Sequence, residues 1–139
     1  MSKTFDDYIK ILDTQITKRN NLEKHELLLI LEKAVYDRQK AAAFNSKRRG
    51  VWFRLIQKKL VECDCAELIE LWKLLKEGEI NPQNHNTGFF SAWESALVDQ
   101  LDDRYLVKIL EIYREMEVEL PAQLLDKWCQ LAKIKVKNI

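Results

Sequence analysis

The sequence predicts an all-α domain, and three observations carry that prediction. Gly and Pro together number five in 139 residues, too few for the turns of an all-β or α/β chain. Apolar residues recur at helical spacing in nearly every segment between breakers. The segment boundaries carry helix-cap residues. Hydrophobic residues make up 47% of the chain, so a domain of this length can bury roughly two-thirds of its unfolded surface, which excludes disorder. No window approaches ~18 uncharged apolar residues, so no membrane span is expected.

The elements follow in order. Tyr8, Ile9, Ile11, Leu12 and Ile16 predict a short first helix, interrupted at Asn20-Asn21. A longer helix is expected from Leu22 to about Phe44, with Leu27, Leu28, Ile30, Leu31, Ala34 and Val35 as its stripe. Asn45-Ser46 closes it, and Ser46 is the expected cap of a third helix holding Val51, Trp52, Leu55, Ile56 and Leu60. The fourth opens at Asp64, with Glu67 placed as in a capping box, and stops at Gly78 before Asn81-Pro82. Past the polar stretch Gln83–Gly88, Ser91-Ala92-Trp93-Glu94 suggests a capping box for the fifth. Asp102 begins the sixth, and Pro121 the seventh, which runs to about Val136.

Self-similarity runs through these elements. Leu27–Leu31, Leu68–Trp72 and Leu106–Leu110 share an apolar pair, a gap and a second apolar pair, starting 41 and 38 residues apart. Asp64 and Asp102 each stand four residues before their copy, and Trp52 and Trp93 lie in the preceding helices. The tails Lys76-Glu77-Gly78-Glu79-Ile80 and Arg114-Glu115-Met116-Glu117-Val118 also match. Three stacked αα-hairpins are expected, over 5–44, 46–80 and 87–118, with 121–136 as a capping helix. A non-repetitive helical bundle is the alternative. The segment Glu70–Gly78 resembles the second helix of a HEAT-type or pentatricopeptide-type unit, and the resemblance spans about 110 residues. It implies a binding scaffold and transfers no nucleotide-reading position.

Charge is strongly partitioned beneath a formal net charge of +1. Residues 38–61 carry eight basic side chains and no acidic one, whereas 62–79 and 94–119 carry six and eight acids. Lys47, Arg48, Arg49, Arg54, Lys58 and Lys59 form the expected basic ridge. Lys47, Arg54 and Lys58 share one helix face, opposite Trp52 and Ile56. Such a ridge attracts an acidic protein or a phosphate backbone, unless the chain's own carboxylates neutralise it. Phe53 is the one nearby aromatic that could stack on a nucleic-acid base.

Residue patterns for catalysis are sparse. Cys63-Asp64-Cys65 has no second pair at metal-ligand spacing, so no metal or other cofactor is expected. Cys65 near a helix N-terminus invites a lowered thiol pKa, which Glu62 and Asp64 oppose. His25-Glu26 lacks the second His of a zinc-protease helix. Asn84, His85 and Asn86 form a loop tip suited to partner contact. Phe89-Phe90 with one of the Trp residues could supply an anchor between hairpins.

The expectation is a non-enzymatic adaptor that docks a protein partner through the ridge. Alternatives are RNA or DNA binding by 38–61, and an inhibitor or immunity-type protein using its acidic helices. Homodimerisation of basic on acidic surfaces is a further option. The polar, acidic start Met1–Asp7 lacks the look of a secretory signal or transit peptide, which makes the cytoplasm the expected location.

Overall fold

A computed structural model describes residues 3–14 and 22–137, with side chains through Gln130. Every regular element among them is helical: α1 Phe5–Thr14, α2 Lys24–Tyr36, α3 Arg38–Ala43, α4 Ser46–Lys59, α5 Cys65–Glu77, α6 Phe89–Asp99, α7 Leu106–Met116 and α8 Ala122–Lys137. Ile16 and the Asn20-Asn21 interruption lie outside the described residues.

Three boundaries up to α6 differ from expectation, each for a local reason. The long second helix is two, because Asp37 adopts extended backbone (φ −139°, ψ 120°) and its carboxylate accepts from Gln39 N and Lys40 N, capping α3. Asn45 rather than Ser46 caps α4, accepting from Arg48 N at 3.1 Å. The Ser91–Glu94 box is not used, since α6 already starts at Phe89. The α5 caps fall as expected. Asp64 and Glu67 satisfy each other's backbone N–H groups at 2.8 and 3.1 Å. Gly78 ends α5, and a Cβ there would meet Val35 Cγ2 of α2 at 2.9 Å, so close helix approach excludes a side chain.

The helices pack in two rows. α1, α4, α6 and α8 succeed one another on one side, and α2 and α5 lie together on the other, each contacting the Trp-bearing helix that follows it. α7 extends the second row at a wider spacing, leaving a groove of about 500 Å³ against α5.

Two buried Trp residues hold the rows together. The Trp52 indole N–H donates to the Leu27 carbonyl at 2.9 Å, and that of Trp93 to the Leu68 carbonyl at 2.9 Å. Both donors and both acceptors are 41 residues apart, the spacing of the first two apolar stripes. Each tie links a Trp helix to the capped helix before it, α4 to α2 and α6 to α5, and so crosses a boundary of the expected 46–80 unit.

Rings gather round each Trp. Phe44 and Phe53 meet Trp52 edge-on at 6.0 and 5.0 Å, while Trp72, Phe90 and Tyr113 surround Trp93 within 6.4 Å. Such pairs add about 0.5–1.5 kcal/mol each beyond simple burial. The third stretch departs from the pattern: Asp102 caps a 3₁₀ turn over Asp103–Tyr105 before α7 begins.

Trp52→Phe and Trp93→Phe each remove a buried donor and part of a packed ring. Each is expected to cost about 2 kcal/mol in chemical denaturation. Trp72→Phe, at a half-buried site, should cost less than about 1 kcal/mol. Equal losses at all three positions would remove the special role given to the two indole ties.

Candidate binding surface

The backbone of α4 sets the direction of every cation in the expected ridge. Trp52, Phe53 and Ile56 are fully buried, so the opposite face must point outward. Lys47, Arg54 and Lys58 lie on that face and are exposed. None of the three has an ion pair among the described residues.

The other ridge residues are engaged. Arg48 grips Asp13 of α1 through Nε and Nη2, both at 2.9 Å, and donates from Nη1 to the Ala43 carbonyl at 2.6 Å. This fork holds the Asp13 carboxyl below the usual carboxylate range. Lys59 pairs with Glu62 at 3.3 Å. Arg49 is half-buried, with its guanidinium 5.8 Å from the Phe44 ring and its Nε buried without a hydrogen-bond partner among the described residues. The six-residue ridge therefore reduces to a three-cation stripe. Phe53 is fully buried, which removes the aromatic expected beside it.

The loop after α5 is drawn onto α4. Asn81 caps a 3₁₀ turn over Pro82–Asn84. The His85 ring stacks on Phe53 at 5.5 Å with an interplanar angle of 12°. Asn86 donates from its side-chain amide to Gln57 Oε1, and its own Oδ1 accepts from Gly88 N. His85 and Asn86 thus have defined packing tasks, and Asn84 alone of the three is exposed. Burial, helped by the Arg49 cation, holds the His85 pKa below the ordinary imidazole value.

Cys63 and Cys65 are buried, which leaves the lowered thiol pKa unrealised. Cys65 is the first residue of α5, yet burial raises its pKa, outweighing the backbone hydrogen bond at Asp102 that favours the thiolate. Burial likewise pushes Cys63 up to about 11. Among the described residues, no group of three or more His, Cys, Asp or Glu is placed to hold a metal ion, and no helix is long and apolar enough to cross a membrane.

A different surface was missed in the sequence. The α5–α7 groove has Ile69, Trp72 and Ile112 on its floor and Lys73, Lys108 and Glu111 among its walls. Lys76 and Glu115 pair across it. Trp72 is half-buried there. The signal that could have marked this region was present in the matched tails after the two helices, whose Glu79 and Glu117 occupy the same cap position.

No protein-family model, curated protein or solved structure matches this chain. Its functional reading rests on the surfaces just described.

Two measurements check the site chemistry. One thiol, the exposed Cys129, should react promptly with an aromatic disulfide at pH ~8, and Cys63 and Cys65 only on unfolding. Prompt reaction of all three would contradict the burial. For His85, the folded pKa lies below the unfolded value of about 6.5. Its stability contribution is therefore complete above that value and is lost as pH falls through it. The denaturation midpoint should drop between pH ~7 and ~5, and His85→Phe should flatten that drop.

Proposed function

We propose that this protein is a non-enzymatic docking module, a short array of helical hairpins that holds an acidic protein partner on the outer face of α4. One observation carries the reading: Lys47, Arg54 and Lys58 are aligned on one exposed helix face with no carboxylate in ion-pair range among the described residues, while Arg48 and Lys59 beside them are matched. Arg54 and Lys58, at i and i+4, repel by a few tenths of a kcal/mol in an isolated helix. No ion pair among the described residues offsets that repulsion. An external anionic surface would relieve it and would speed encounter.

The recurrence of the indole tie at a 41-residue offset supports the hairpin array. Stacked hairpins give a stiff frame, so the three cations keep their spacing when a partner arrives. A protein surface suits this stripe better than a single-stranded nucleic acid. The side chains between the cations are Val51 and Leu55, both half-buried, with no ring on which a base could stack. Three buried or exposed thiols without a disulfide suit a reducing compartment, and we place the adaptor in the cytoplasm.

The test uses anisotropy titration of a labelled Glu- and Leu-containing acidic peptide against the full chain at ~50 mM salt. Binding is expected, and Arg54→Glu with Lys58→Glu should weaken it about tenfold while leaving helicity unchanged. A labelled single-stranded oligonucleotide run in parallel should bind more weakly. If it binds more tightly, with a log–log salt slope near −2, nucleic acid replaces protein as the ligand. Identical binding by wild type and the double variant would remove the α4 face from the function.

A further inference from the structure

The second surface lies past the ends of α5 and α7, against Phe90 of α6. Past the ends of α5 and α7 the chain turns away, and a concavity of about 310 Å³ opens beside Trp72. Trp72, Pro82, Phe90, Met116 and Val118 line it together with the Asn81 and Gln83 amides. Trp72 and Phe90 stand edge-on at 6.1 Å, both half-buried, and Val118 is 48% exposed. A large apolar side chain left this open at the mouth of an aromatic pocket is the profile of an anchor site.

Acidic residues adjoin its lining along the chain, with Glu117 and Glu119 on either side of Val118 and Glu79 two residues before Asn81. Residues 76–79 and 114–119 hold Glu77, Glu79, Glu115, Glu117 and Glu119 against Lys76 and Arg114. Lys76 pairs with Glu115, and the Tyr36 hydroxyl donates to Glu77 at 2.7 Å. Glu79, Glu117 and Glu119 are exposed and have no ion pair among the described residues. Glu79 and Glu117 also take left-handed backbone, at φ 55° and 58°, where glycine is usual. Both stand at helix C-termini, where a carboxylate opposes the dipole. The fold alone gives no reason for acids there.

We propose that this pocket docks a basic linear segment of a partner protein. One apolar side chain sits against Trp72, Phe90 and Met116, and flanking Lys or Arg residues face Glu79, Glu117 and Glu119. The charge of these neighbouring acids selects a cationic segment, and the apolar wall demands an anchor within it. A second copy's α4 meets the first requirement but not the second. Between its cations stand Val51 and Leu55, half-buried in their own core, and its exposed Val61 lies beyond Lys58. The two surfaces together would let the chain bridge an acidic and a basic partner.

The probe is a labelled, capped peptide with one Leu flanked on each side by Lys-Arg, titrated by anisotropy against the full chain at low salt. Saturable binding is expected. Glu117→Lys with Glu119→Lys, both at exposed positions, should weaken it about tenfold, and Leu→Ser in the peptide should weaken it comparably through loss of the buried anchor. Arg54→Glu with Lys58→Glu should leave this binding unchanged, which separates it from the α4 reading. Absence of binding, or equal affinity of the Ser peptide, would overturn the proposal. So would sedimentation showing a salt-sensitive dimer of the chain that the Leu peptide disperses, because a second copy would then be the occupant.

Discussion

Two buried indole N–H groups set the geometry on which the rest of the molecule depends. A Trp taken fully out of water must find an acceptor for its N–H, or the fold loses about 1–3 kcal/mol. Trp52 and Trp93 find theirs in the Leu27 and Leu68 carbonyls, on the helix that precedes each in its row pair. A hydrogen bond of this kind fixes more than distance. It fixes the rotation of α4 about its own axis, because Trp52 can reach Leu27 from only one side. Lys47, Arg54 and Lys58 lie across the helix from Trp52, so the tie that satisfies the indole also turns those three cations outward. The aromatic neighbours, from Phe44 and Phe53 on one side to Phe90 and Tyr113 on the other, then fill the space the rings define.

Charge is arranged by the same packing. The eight cations of 38–61 divide according to which neighbour their part of the helix meets. The start of α4 lies against α1, and there Arg48 closes on Asp13. Its end turns toward the next capped helix, where Lys59 meets Glu62. Lys24 performs a similar service on the opposite row, bonding Glu67 at 2.9 Å and the Glu62 carbonyl at 3.0 Å, which locks the start of α2 to that of α5. Lys127 does so for the last helix, donating to the Val98 and Asp99 carbonyls at the C-terminal end of α6, where the dipole favours a cation. The α4 face keeps cations, and the chain after α5 and α7 keeps carboxylates.

The third helical pair breaks the regularity, and the break creates the concave surfaces. α2 and α5 approach closely enough that Gly78 has no room for a Cβ. α7 does not reach α5 in that way; a Lys76–Glu115 pair spans the gap, and Trp72 stays half-buried at its floor. Had α7 closed as tightly as α2 does on the other side, Trp72 would be core like Trp52. The wider spacing leaves one aromatic ring available to two adjoining hollows, one walled by both charge signs and one by apolar and amide side chains.

Much of this was readable in the residues themselves. Helical periodicity, the Asp64–Glu67 box and the Gly78 stop are local signals, and local signals survive folding because they act through neighbouring backbone groups. The 41-residue recurrence was equally visible, since Leu27 with Leu68 and Trp52 with Trp93 keep their spacing in any conformation. Other features depended on partners far along the chain. Arg48 and Lys47 are adjacent cations of the same kind, and only the approach of Asp13, 35 positions earlier, makes one an anchor and leaves the other exposed. Phe53 looked like an outward ring on α4 until the loop carrying His85 and the start of α6 covered it. Composition and periodicity determined that this chain is helical and where its helices cap. Which cations stay exposed, and that Trp72 and Phe90 wall a shared pocket, followed from tertiary packing, because ion pairing and burial are properties of atoms brought together rather than of positions in a string.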